Sequence, residues 1–99
     1  MEIKIQSIKF DATEKLETYI TKKLAKLEKM HEDMMTVDVT LKVTKPETAQ
    51  NKEVEIKIQM PGAEFFASKV TDTFEESTDL VVDALDKQLV KHKEKLRSK

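Results

Sequence analysis

Apolar and polar positions change period along this chain. The opening MEIKIQSIKF alternates Ile3 and Ile5 with Glu2, Lys4 and Gln6, the two-residue period of a half-buried strand. Asp11-Ala12-Thr13-Glu14 then reads as a helix start. Asp11 with Glu14 three residues on resembles a capping box, and Thr13 is a competing N-cap. Leu16, Ile20, Leu24, Leu27 and His31 follow at spacings of four, four, three and four, which predicts a helix over about 13–31. Val37, Val39, Leu41 and Val43 alternate with Asp38, Thr40, Lys42 and Thr44. After a turn-like KPETAQN, Val54, Ile56, Ile58 and Met60 alternate with Glu53, Glu55, Lys57 and Gln59. Two alternating runs around a polar loop predict an antiparallel hairpin. Pro61-Gly62 is a turn dipeptide, and Phe65 to Val70 reads as a fourth strand.

The last segment returns to helical spacing. Phe74, Thr78, Val81, Leu85, Leu89, His92 and Leu96 line one face, widened by Val82, and predict a helix over about 73–97 with Asp72 or Thr73 as its cap. Its acids precede its bases, which suits the helix dipole. The order is β-α-β-β-β-α. Each strand has one apolar face and each helix one apolar stripe. The expected fold is therefore α+β, with two helices packed on one face of a four-stranded sheet. Helices on one side of a sheet also describe the double-stranded-RNA-binding class of folds.

Composition narrows the chemistry. Ninety-nine residues suit a single domain. There is no Cys, so there is no disulfide framework, thiolate nucleophile or Cys-based zinc site. One Gly leaves no glycine-rich phosphate loop. The longest aliphatic run is Leu80-Val81-Val82, far short of the ~20 residues that span a bilayer. A soluble cytoplasmic domain is expected, with no membrane partner, no small-molecule substrate and no cofactor or metal. His31 and His92 are too few and too distant in sequence for a metal site, and both fall on apolar helix faces where packing or capping is expected. Asp79 with Asp83, and Glu53 with Glu55, read as solvated faces. No nucleophile motif is present, so no enzyme is expected. Phe65 and Phe66 cannot both point inward on a regular strand; Phe65 and Ala67 are expected inside and Phe66 outside.

Charge changes the picture once it is resolved along the chain. Eighteen Lys and Arg nearly balance nineteen Asp and Glu, for a formal net charge of −1. Residues 87–99 nevertheless hold six bases and one acid, so +5 there faces −6 over the other 86 residues. Residues 72–86 hold six acids and no base. Lys87, Lys91 and Lys95 recur every four residues on the second helix, with Lys93 and Arg97 on a neighbouring stripe. Lys22, Lys26 and Lys29 follow one flank of the first helix, with Lys23 beside them. If both helices pack on one sheet face, these stripes would border a common groove suited to a phosphate backbone.

Four stretches in this order carry a family resemblance: YITKKLAKLEK (Tyr19 to Lys29), the strand pair VTLKV (Val39 to Val43) with KEVEIKI (Lys52 to Ile58), MPGAEFFAS (Met60 to Ser68), and DALDKQLVKHKEKL (Asp83 to Leu96). They resemble the K-L-x-K-L, P-G-x-x-[aliphatic]-x-A and L-x-x-Q-L-x-K-x-K-x-K patterns of the ribosome hibernation-promoting factor and ribosome-associated inhibitor family (protein Y), in its short single-domain form. The resemblance implies a non-enzymatic stress and stationary-phase factor that binds the small ribosomal subunit and its ribosomal RNA at the decoding region. There it would block messenger and transfer RNA and protect idle ribosomes. It points to Lys22, Lys23, Lys26, Lys87, Lys91, Lys93 and Lys95 as RNA contacts, with Lys29 and Arg97 following by their place on the same stripes. It also implies residues 1–99 as one ribosome-binding domain without a C-terminal dimerisation domain, so that the chain would not pair ribosomes by that route; a companion factor for ribosome dimerisation is a candidate further partner. The start of the second helix departs from the family's aromatic-A-A-I-D: here Phe74-Glu75-Glu76-Ser77-Thr78-Asp79 is one residue longer and carries two extra acids. A competing reading is a protein-interaction module that uses the open sheet face or the edge of the fourth strand.

Overall fold

The computed structural model describes residues 1–45 and 50–97, without the side chains of Leu96 and Arg97. Most of the turn-like KPETAQN loop, residues 46–49, lies outside the described residues. The elements are β1 (Glu2–Ile8), α1 (Glu14–Met30), β2 (Thr36–Val43), β3 (Lys52–Met60), β4 (Ala63–Thr71) and α2 (Phe74–Arg97). They form one four-stranded sheet in the order β1-β2-β3-β4. β1 pairs with β2 in parallel, and a parallel pair needs a crossover, which α1 supplies. β2, β3 and β4 pair antiparallel through short connections. The predicted β-α-β-β-β-α order is what the structure shows.

Strand alternation explains the layering. Val37, Val39 and Leu41 of β2 sit beside Val54, Ile56 and Ile58 of β3, and all six are buried. Leu16, Ile20, Leu24 and Leu27 of α1 and Val81, Leu85 and Leu89 of α2 cover that face. Burying each such side chain is worth about 1.5–3 kcal/mol. Ile3 and Ile5 of β1 and Phe65 and Ala67 of β4 flank the core, while Phe66 points away and is 53% exposed. The expectation for this Phe pair holds.

The helix starts are decided by side-chain oxygens. Thr13 caps α1, its hydroxyl accepting from the Leu16 amide at 3.1 Å. Thr73 plays the same role for α2, accepting from Glu76 at 3.1 Å. Asp72 is otherwise engaged: its carboxylate accepts from the Gln50 amide at 2.8 Å. Gln50 and Asp72 thus tie the β2–β3 loop to the entry of α2. Ser77, fully buried, donates to the Lys52 carbonyl at 2.7 Å and pins the first turns of α2 to β3. Phe74 stacks on Phe10 at 5.0 Å between centroids. The divergent start of α2 is therefore used in packing.

The two helices run in the same sense. Tyr19 and Lys23 of α1 meet Asp79, His31 at its end meets Asp86, and the Lys93 ammonium reaches the Met30 carbonyl at 3.0 Å. α1 thus ends level with Lys93. The 24 residues of α2 span about 36 Å and outrun it. The described molecule is elongated, at 50 × 22 × 19 Å.

Candidate nucleic-acid interface

Parallel helices put both C-terminal halves, where the lysines are, at one end of the molecule. Lys22, Lys26 and Lys29 project from α1 and Lys87, Lys91, Lys93 and Lys95 from α2, all exposed. Lys23 is half-buried. Arg97 closes α2, and its side chain lies outside the described residues.

The groove between the helices corrects the sequence expectation of a lysine-lined channel. Lys23 and Lys26 line its α1 wall, Asp79, Asp83 and Asp86 its α2 wall, and Leu27, Met30 and Val82 line it between them. The reason is helical phase. The acidic first half of α2 lies beside the basic second half of α1, and the bases of α2 begin only where α1 is ending. Lys23 and Lys26 therefore face aspartates across the groove, and lysines of α2 do not line it with them.

Several charges are spent internally. Asp79 accepts from the Tyr19 hydroxyl at 2.7 Å and pairs with Lys23 at 3.2 Å, while the Lys23 ammonium sits 5.5 Å from the Tyr19 ring centre. The bond to Asp79 holds the Tyr19 phenol above its ordinary 10.0, helped by burial and opposed by Lys23. The same carboxylate raises Lys23. Lys87 pairs with Asp83 at 3.2 Å one turn away, both side chains exposed, a contact worth about 0.3–0.5 kcal/mol. Lys22, Lys26, Lys29 and Lys91 make no ion pair among the described residues.

His31 caps the end of α1, its amide donating to the Glu28 and Leu27 carbonyls, and its ring meets Asp86 at 2.8 Å. Asp86 thereby joins α2 to the end of α1. His92 packs edge-on against Phe65 at 5.3 Å between centroids. Both histidines are packing or capping groups, as their places on apolar faces led one to expect.

The other sheet face offers mostly self-satisfied charge. Lys42 bonds Glu55 at 3.0 Å and lies 3.9 Å from Glu53, and Lys57 lies 3.7 Å from Glu64. The Glu55 bond raises the Lys42 ammonium above its usual range. Glu53, Glu55, Asp79 and Asp83, expected on solvated faces, are in fact engaged in ion pairs. Tyr19, Asp79 and Asp86 were missed as partners of the basic region, because their contacts join residues 55 and 60 apart in the chain.

The architecture defines an α+β domain whose sheet carries two parallel helices on one face, with cationic side chains gathered toward one end. The chain belongs to the Sigma 54 modulation protein / S30EA ribosomal protein family, whose model matches residues 3–97. It is 34% identical over 98 residues to a ribosome hibernation promoting factor of Pseudomonas putida, covering 99% of this chain and 92% of that protein. It is 32% identical over 97 residues to the Escherichia coli K12 protein of the same name, covering 98% of each. Among solved structures, the Thermus thermophilus Protein Y N-terminal domain matches at TM-score 0.75 and 25% identity, over 90% of this chain and 96% of that one. A ribosomal subunit interface protein from Coxiella burnetii has the same fold, at TM-score 0.85 and 22% identity, over 94% of this chain and 98% of that one.

Proposed function

We propose that this chain is a ribosome hibernation factor that binds the small ribosomal subunit and silences it by occupying the channel of messenger and transfer RNA. The observation that carries the reading is its likeness, along nearly its whole length, to proteins named ribosome hibernation promoting factor. The distribution of charge supports an RNA partner, because exposed lysines crowd one end of a chain that is acidic elsewhere. The mechanism is steric and electrostatic. Lysines meet ribosomal-RNA phosphates and release counterions, and the body of the domain fills the path. No bond is made or broken, and no cofactor is needed. The site is cytoplasmic, as ribosomes are.

Among the basic residues, Lys22, Lys26, Lys29 and Lys91 carry the contact most directly, because none of them is held in an ion pair among the described residues. Lys93 and Lys95 extend it along α2, and Arg97 continues their stripe. Lys23 and Lys87 contribute less while Asp79 and Asp83 hold them. Residues 1–99 act as one binding domain.

Co-sedimentation with purified small subunits tests the reading. Binding at low salt that fades steeply with added salt is expected. About six phosphate contacts give a log–log slope near −4 to −5. Absence of co-sedimentation at low salt, or binding indifferent to Lys91, Lys93 and Lys95 changed to Glu, contradicts it.

A further inference from the structure

The side of α2 that faces away from α1 carries a second feature. Between β4 and the C-terminal half of α2 lies an open cleft lined by Phe65, Gln88, Lys91, His92, Glu94 and Lys95. Phe65 and His92 meet there edge to face, with planes 73° apart and centroids 5.3 Å apart. In such a pair one ring face is covered by the partner's edge. Both residues are only partly buried, so aromatic surface remains open to the cleft. Gln88 bounds the same cleft and donates to the Phe66 carbonyl at 3.1 Å. β4 is an edge strand, and this bond ties α2 to its outer side at the cleft. Lys91 and Lys95 flank the rings one turn apart, about 6 Å along the helix axis. Glu94 is the one acid in the lining, against two lysines.

Aromatic surface bordered by cations is the combination that holds unpaired nucleic acid. Every base has a face to stack, and the backbone follows the charge. A duplex cannot use it, because its base faces are already stacked. We infer that this cleft seats an unpaired RNA base against Phe65 and His92, with Lys91 and Lys95 taking the flanking phosphates. The inference rests on the RNA-binding reading above and adds the class of RNA: a single strand, held on the outer side of α2. A duplex segment bound at the same rim would use the lysines alone.

The test is the affinity of the full chain for a fluorescent eight-nucleotide oligo(A) and for a duplex of equal length, at one low salt concentration. The single strand is expected to bind more tightly than the duplex. His92→Ala is expected to weaken the single strand fivefold or more and leave the duplex unchanged, since a stacked base is worth about 1–3 kcal/mol. His92→Phe keeps a ring and is expected to restore the affinity, and circular dichroism checks that both variants are folded. Equal binding of strand and duplex, or equal affinity for wild type and both His92 variants, overturns the inference. Wild-type co-sedimentation with small subunits is read in parallel. Subunit binding with no His92 effect on the oligonucleotide removes the cleft and leaves the ribosome reading. A His92-dependent oligonucleotide affinity without subunit binding does the reverse.

Discussion

Single side chains decide how the ends of the helices are held and which charges stay available. Thr13 satisfies the Leu16 amide at the start of α1. Thr13→Ala is expected to cost about 1 kcal/mol in urea unfolding, because a first-turn donor loses its partner. The chain has one Tyr and no Trp, so the phenol of Tyr19 can be followed alone by its ultraviolet absorbance. Its ionisation is expected above 10.0, since the Asp79 carboxylate favours the protonated phenol. Asp79→Asn removes that preference and should bring the titration back down. The sign for stability follows: the contribution of this contact is full below the unfolded phenol's pKa and is lost as pH rises through the folded one. An unchanged Tyr19 titration in Asp79→Asn would exclude the contact. The Tyr19–Asp79 contact was not legible in the sequence, since it joins residues 60 apart, and the cap was legible only as a choice. Asp11 and Thr13 both suited the cap, and only the path of the chain chose between them.

Elements were far more legible than the contacts between them. Strict alternation in β2 and β3 fixed both their existence and their inward faces, because a one-residue slip would bury Asp38 and Glu55. The i, i+3, i+4 stripes of α1 and α2 did the same for the helices. The run Phe65 to Val70 is shorter than β4, which also takes in Ala63, Glu64 and Thr71, small and polar residues that add little apolar signal to an edge strand. The Pro61-Gly62 turn was read correctly, and Gly62 adopts φ +75. That left-handed conformation is what a Pro-Gly type II turn requires at its second central residue. Nothing stands within 4 Å of an added Cβ there, so Gly62→Ala tests backbone strain alone. The expected cost is about 1 kcal/mol, read as a lower thermal midpoint with the fold retained. In the core, Leu24→Ala is expected to cost about 2–5 kcal/mol in the same measurement, because Leu24 is fully buried between α1 and the sheet. The relative phase of the two helices could not be read from either stripe. It depends on where α1 lies along α2, and that placed aspartates opposite lysines.

At the scale of the whole molecule, a net charge of −1 conceals a strong separation. The lysine stripes were legible as candidate RNA contacts. Their division into paired and unpaired groups was only partly so: Asp83 stands one turn from Lys87 in the sequence, but Asp79 beside Lys23 needs the fold. The fold gathers lysines along the second half of α1 and the part of α2 beside and beyond its end, and it uses acids of α2 to hold the helices together. Affinity for RNA should therefore depend unequally on residues of the same type. Exchanging Lys26 and Lys91 for Glu should reduce binding far more than exchanging Lys23 and Lys87. The most direct measurement is the affinity of the chain for purified small ribosomal subunits, titrated across a range of salt concentrations. Wild type should give a log–log slope near −4 to −5, and Lys26→Ala with Lys91→Ala should make it shallower by about 1.5. A wild-type affinity independent of salt, or a slope unmoved by those two substitutions, would contradict a ribosomal contact made through the helix lysines.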